Sequence, residues 1–339
     1  MNAVIKKLSR QNETYITLVA LVLCLLIEFR SSQFFAPNNL VDLASALIVP
    51  GMFAIGAFMV IVSGGIDVSF PALASLSVYA TTKFLLDINY QGGIWLPILI
   101  ALALGAVLGA VNGFLISWFN LPAMIVTLGT ASVFKGVMQG ALNSTQLAVI
   151  PPGMDAFGKS ALFVAQNPSS GLTSRMPVAV LFLLGTLILA FVVLRYTMYG
   201  RGLYAVGGNE VSAHRAGFNV KWIKLLLYVA VGMIASLAGL VRVCMMGQCH
   251  PTNMLGMEMM IIAGVVLGGT AITGGAGSLT GCMLGTILIV IVQNSMILLG
   301  IPTFWQGFAV GLLIIIGTGV SALQVTRAGA RRTLKGVAR

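Results

Sequence analysis

GRGLYAVGGNEVSAHRAGFNVKWIK, Gly200 to Lys224, is the longest basic, mostly polar interval between hydrophobic runs. It holds Arg201, Arg215, Lys221 and Lys224, with Arg195 just before it. A loop this charged, inside a chain this apolar, belongs in water on one side of a membrane. Within it, Asn209 is a good N-cap, Glu210 fits a first turn and Gly217 fits a C′ stop, which predicts a helix of about two turns, Glu210 to Ala216. A helix that short is marginal alone in water, so it needs support from a partner or from the rest of the loop.

The composition extends this reading. Of 339 residues, 58% are hydrophobic and 8% charged, against roughly 25% charged in ordinary globular domains. So much apolar surface does not fit inside a soluble core. The 40 glycines suit close packing of transmembrane helices. The expected fold is an all-α polytopic integral membrane protein with about ten transmembrane helices. The net charge of +11 is dispersed among loops and ends, which a positive-inside bias explains better than nucleic-acid binding. Cys24, Cys244, Cys249 and Cys282 lie in or beside apolar runs without Cys-x-x-Cys spacing, and read as small core residues.

A spanning helix needs about 20 mostly apolar residues. Ten candidate runs cover residues 14–29, 44–63, 68–86, 94–118, 122–142, 177–195, 223–246, 257–268, 278–299 and 303–324, with a long segment at 143–176. Lys6, Lys7 and Arg10 before the first run resemble a signal-peptide n-region, but no small-x-small cleavage site follows. The first run is therefore expected to be an uncleaved span with the N-terminus in the cytoplasm. Counting Lys and Arg tests the topology. The N-terminus, the 195–224 loop and the tail (Arg327, Arg331, Arg332, Lys335, Arg339) carry thirteen. The opposite side carries four: Arg30, Lys83, Lys159 and Arg175. Lys135 and Arg242 fall within spans. Both termini are thus expected in the cytoplasm. The whole of 1–339 reads as one membrane domain, with an N-terminus at 1–13, spans over 14–324, a cytoplasmic loop at 196–222 and a basic tail at 325–339.

Two tight connections stand out, Ser63-Gly-Gly-Ile-Asp-Val-Ser69 and Gly268-Gly-Thr-Ala-Ile-Thr-Gly-Gly-Ala-Gly-Ser278. Asp67 or Ser69 can cap the helix that follows the first, and Ser278 the helix after the second. Pro71 falls in a first turn, where no amide is missed. They read either as short capped turns or as broken elements near a translocation path. Asp67, Ser69, Asn112 and Asn294 are the polar candidates for such a path.

Catalytic chemistry is missing. There is no Gly-x-x-x-x-Gly-Lys-Ser/Thr loop, no His-Glu-x-x-His and no assembled triad. No catalytic or metal-binding residue and no cofactor is expected. Intramembrane charges usually mark coupled-ion paths, yet no ladder of carboxylates is present. Glu258 reads as a helix-start carboxylate, Arg242 as a side chain snorkelling to the interface, and Lys135 as facing a protein-lined cavity or marking a shifted span. The energy source for any transport lies elsewhere.

Four segments carry a resemblance. YAVGGNEVSAHRAGFNVKWIK (204–224) is similar to the cytoplasmic coupling region of permeases from ATP-binding cassette (ABC) importers of the ribose/xylose/galactose type. SGGIDVS (63–69), LPAMIVTLGT (121–130) and VVLGGTAITGGAGSLTGCMLG (265–285) resemble three further motifs of that family, in the right order over about residues 40–320. The resemblance implies a non-catalytic permease subunit of the bacterial inner membrane. Its ATP and Mg would be used by a separate cytoplasmic ATPase. A periplasmic or lipid-anchored solute-binding protein would deliver the solute, possession of the pair of permeases being completed by a second copy or paralogue. It also implies that Gly208, Asn209, Glu210, Arg215, Ala216 and Gly217 grip the ATPase. Departures are Phe70-Pro71 after the Ile-Asp-Val-Ser motif, Phe218 after Gly217, and Glu258-Met-Met260 where ribose permeases often carry a second acidic residue. The last leaves open a sugar, a polyol or a signalling furanose. A branched-chain amino-acid permease and a stand-alone secondary transporter are the competing expectations.

Overall fold

The computed structural model describes residues 12–143, 145–168, 171–312 and residue 315. Lys6, Lys7 and Arg10, the basic tail and the later part of the tenth predicted span lie outside the described residues. The architecture is a helical bundle around α2 (Pro37–Val62). A helix that is hydrophobic all round belongs in an interior, and from Ile48 to Val62 every residue of α2 is buried. Packed on it are α7 (Val180–Tyr196), α10 (Val220–Met246), α11 (Met257–Leu267) and α12 (Leu279–Leu298). On the far side of α10 lie α3 (Phe70–Asp87), α4 (Trp95–Trp118) and α5 (Ala123–Gly140), while α1 (Asn12–Ser31) leans on α12.

α3 buries the hydroxyls of Ser75, Ser77, Thr81 and Thr82, and of these four that of Ser75 has no partner among the described residues. In apolar surroundings each needs a partner. Thr81 donates to the Ser77 carbonyl and Thr82 to the Val78 carbonyl, both at 2.8 Å, and Ser77 donates to the Ala101 carbonyl of α4 at 3.1 Å. The seam between α4 and α10 is built differently. Gly105, Gly109 and Gly113 recur every fourth residue and let the two backbones touch. A Cβ on Gly109 would lie 2.3 Å from the Tyr228 carbonyl oxygen, and one on Gly232 would lie 2.2 Å from that of Gly105.

The helix ends gather on two faces. On one, the rings of Trp118 and Trp222 meet at 5.8 Å. There the Glu13 carboxylate also accepts from the hydroxyls of Ser278 and Thr280 at the start of α12. On the other, the Lys83 ammonium donates to the Leu142 carbonyl at 3.1 Å, and Leu147 and Cys249 exchange backbone hydrogen bonds at 2.9 Å. Arg195, Arg201, Arg215, Lys221 and Lys224 belong to the first face; Arg30, Lys83, Lys159 and Arg175 belong to the second.

Among the described residues, five helices are long and apolar enough to cross a membrane, or six if the bent pair Val180–Tyr196 and Met198–Gly208 is one span. The chain is thus a mostly helical, multi-pass membrane protein. One expectation needs correction. The fold is not all-α: after α6 (Pro152–Lys159) the long 143–176 segment forms an antiparallel hairpin, β1 (Ala161–Gln166) with β2 (Thr173–Pro177). Here Leu162, Phe163 and Val164 supply β-propensity in a run too short to announce itself. The run 257–268 forms α11 within one residue of its expected end, a helix of 11 residues. At 1.5 Å per residue it covers about half of a hydrocarbon core of about 30 Å.

Candidate coupling surface and translocation path

The charged loop is almost wholly helical. α8 (Met198–Gly208) leaves α7 at a bend of 75°. Its N-cap is Thr197, whose hydroxyl accepts from the Gly200 amide at 3.1 Å. This helix was not foreseen, because Gly200, Gly202, Gly207 and Gly208 argue locally against one. α9 (Glu210–Arg215) follows, with Ala216 as its C-cap, one residue short of the expected end. The Asn209 side chain accepts from the Ser212 amide at 2.8 Å. At the other end Gly217 has φ +90°. Its amide bonds the His214 carbonyl and that of Phe218 bonds the Ala213 carbonyl, a Schellman closure.

The support that so short a helix requires is visible. Glu210 pairs with Lys224 of α10 at 2.7 Å, Ala213 is buried, and Phe218 packs against Gly202 of α8. The rest of the segment faces outward: Gly208, Asn209, Glu210, Arg215, Ala216 and Gly217 are all exposed. Val211 is 61% exposed, an apolar side chain held out on a charged face.

At the end of α8 two glycine turns meet the helix. Gly64 (φ +85°), Gly207, and Gly274 with Gly275 (φ +85° and +73°) bring three backbones into contact. The Gly275 amide donates to the Val62 carbonyl at 2.8 Å. The Tyr204 hydroxyl of α8 donates to the Gly277 carbonyl at 3.2 Å. Ser278 caps α12, accepting from the Gly281 amide at 3.0 Å.

Three of the four path candidates form one buried cluster. Asp67 accepts from both the amide and the hydroxyl of Ser69 at 2.7 Å. Asn112 of α4 donates to the Ser69 hydroxyl at 2.8 Å. All three residues are at most 2% exposed, and the side-chain oxygen Oδ1 of Asn112 is buried without a partner among the described residues. Burial raises the Asp67 carboxyl above its usual range, opposed by the hydrogen bonds from Ser69. Ser69 stands at the N-cap of α3 without capping it through its side chain, since its hydroxyl is given to Asp67.

Thr127 of α5 belongs to the same cluster. It accepts from the Val68 amide and donates to the Ile66 carbonyl, both at 3.3 Å. The motif LPAMIVTLGT held that residue in view without singling it out. Asn294 stands apart: it is half-buried, about four turns along α12 from this face.

Two of the remaining charges have local partners. Glu258 accepts from the Gly256 amide at 2.9 Å at the start of α11, and Arg242 donates to Asn253 at 3.0 Å. Lys135 is half-buried on α5. All four cysteines are free thiols, three of them buried.

Asp67→Ala removes the acceptor of two buried hydrogen bonds and is expected to cost about 1–3 kcal/mol. Thermal unfolding in detergent should show a midpoint several degrees lower, with Asp67→Asn falling between. An unchanged midpoint for Asp67→Ala would contradict the structural role of the cluster.

The family model described as branched-chain amino acid transport system / permease component matches residues 39–317. The chain is 31% identical over 297 residues to the ribose import permease protein RbsC of Escherichia coli (strain K12), covering 87% of this chain and 89% of that protein. It is 31% identical over 311 residues to the D-allose transport system permease protein AlsC of the same strain, covering 90% of each. It is 29% identical over 310 residues to the autoinducer 2 import system permease protein LsrC of Photorhabdus luminescens, covering 90% of this chain and 88% of that protein. No solved structure matches the chain.

Proposed function

The chain belongs to the branched-chain amino acid transport system / permease component family, and on that premise we propose that it is the membrane-spanning subunit of an ABC importer for a monosaccharide or similar small polyhydroxy solute. Similarity along nearly the whole chain to the ribose and allose permeases carries the solute class. The capped, outward-facing α9 carries the coupling role. In this reading 1–339 is a single permease domain of about ten membrane helices in the bacterial inner membrane, α11 entering only about half of the bilayer. The face bearing Arg195 to Lys224 is cytoplasmic, because basic residues are retained on that side. A cytoplasmic ATPase, using ATP and Mg, docks on Gly208 to Gly217. A periplasmic or lipid-anchored binding protein delivers solute to the opposite face, and a second permease copy or paralogue completes the path. Opening and closing of the ATPase then alternates access to the path, with Asp67, Ser69 and Asn112 at its cytoplasmic end.

Reconstitution with the partner ATPase and binding protein tests this. Labelled D-ribose or D-allose should enter proteoliposomes only with ATP and all components present. Uptake by this chain alone down a gradient would replace the proposal with a stand-alone facilitator. Competition by leucine but by neither sugar would favour the amino-acid branch, which the family's own description keeps in play.

A further inference from the structure

We propose that the three-way backbone contact at Gly64, Gly207 and Gly274 is the transmission element of the permease, passing displacement of α8 and α9 to four other helix ends at once. The proposal rests on the reading of α9 as the ATPase-docking helix. The contact has no side chain to act as a cushion. A Cβ on Gly207 would lie 1.9 Å from the Val62 carbonyl oxygen and 2.7 Å from the Gly275 amide nitrogen. One on Gly274 would lie 2.6 Å from the Gly64 Cα, and one on Gly275 2.6 Å from the Gly208 Cα. Packed backbones have no rotamers through which to absorb a shift, so they pass it on.

The parts joined are the ones a transporter has to move together. Gly207 lies in the last turn of α8, two residues before Asn209, the N-cap of α9. Gly64 follows α2 and opens the turn that carries Asp67 and Ser69, which Asn112 and Thr127 tie to α4 and α5. Gly274 and Gly275 lie between α11 and α12, and the Tyr204 hydroxyl bonds the same turn at Gly277. A rise or tilt of α8 therefore acts on the ends of α2 and α11 and on the starts of α3 and α12. A purely compacting role for the glycines would predict something different, a change in stability with no change in the solute moved per ATP.

That ratio is the test. The full complex with ATPase and binding protein is reconstituted, and uptake of labelled D-ribose or D-allose, whichever the wild type transports, is measured beside ATP hydrolysis in the same vesicles. Gly207→Ala should co-purify with the ATPase and keep at least about half of its hydrolysis, while solute moved per ATP falls by tenfold or more. Tyr204→Phe keeps the ring and removes one neutral hydrogen bond, and should lower the same ratio about three- to tenfold. Gly136→Ala, on α5 where a Cβ meets nothing within 4 Å, should leave it unchanged. A wild-type ratio in assembled Gly207→Ala overturns the proposal, as does a parallel loss of uptake and hydrolysis at constant ratio. If Gly207→Ala does not assemble, Tyr204→Phe decides alone, and an unchanged ratio overturns it. Absence of ATP-dependent uptake by the wild-type complex is a separate outcome that refutes the importer reading itself.

Discussion

Glu210→Lys is expected to reduce ATP-driven uptake by a hundredfold or more, and magnitudes show why the loss would report docking. Glu210 has two tasks in the structure. It pairs with Lys224 at 2.7 Å, holding α9 against α10, and its side chain is half exposed at the same time. An exposed ion pair contributes about 0–1 kcal/mol, so losing the strut alone costs at most about a fivefold effect. Reversing a charge that meets a complementary one across a protein interface costs about 2–5 kcal/mol, which is about thirty- to several-thousandfold. The double variant Glu210→Lys with Lys224→Glu rebuilds the strut with inverted polarity and separates the two. Uptake should stay lost and the ATPase should no longer co-purify, while membrane insertion is normal. Adding Arg215→Glu to Glu210→Lys should deepen the defect. Recovery of uptake in the swapped pair would show that Glu210 serves only to hold α9.

What the sequence disclosed follows the range of the interactions involved. α9 was legible because its determinants are local: Asn209 caps, Gly217 adopts the left-handed conformation that glycine allows, and both act within six residues. Ser278 was legible as a cap for the same reason. α8 was not, since its glycines lower helix propensity and its stability comes from contacts with Phe218, Ile223 and the neighbouring turns. Here the long-range packing wins over propensity, and the glycines that weaken the helix are the ones that admit the contact. The same holds for the path candidates. Asp67 and Ser69 are two residues apart, so their bond could be anticipated. That Asn112 joins them depends on which face of α4 packs on α3, while Asn294 stays apart because it lies about four turns along α12. That 63–69 and 268–278 are tight, glycine-containing connections was visible in the sequence. Their meeting through Gly207 was not, because no local pattern records that two turns and a helix end from separate parts of the chain share one point.

The α4–α10 seam gives the largest expected effect on stability, and a graded one. At Gly109 the nearest atoms to an added Cβ are the Tyr228 carbonyl oxygen at 2.3 Å and carbon at 3.0 Å. These are backbone, so no rotamer change relieves the clash. At Gly113 the nearest is the Leu225 carbonyl oxygen at 2.9 Å, a smaller intrusion, and at Gly136 nothing lies within 4 Å. Overpacking of this kind costs about 1–3 kcal/mol for small additions and more for large ones. Replacing an unhindered helical glycine by alanine gains about 0.4–1 kcal/mol. Unfolding in detergent should therefore rank Gly109→Leu far below Gly109→Ala, then Gly113→Ala, wild type and Gly136→Ala in rising order. Gly109→Leu should scarcely accumulate as a monodisperse protein. A Gly109→Ala variant as stable as Gly136→Ala would mean that α4 and α10 do not meet at this seam. The seam also reaches the site. Asn112 lies between Gly109 and Gly113 on α4 and donates to Ser69 from there. A Gly113→Ala protein that still folds shifts α4 against α10 by the few tenths of an ångström needed to clear Leu225. Its uptake should then fall more than its stability, because a hydrogen bond of 2.8 Å weakens with a displacement that the apolar packing around it tolerates.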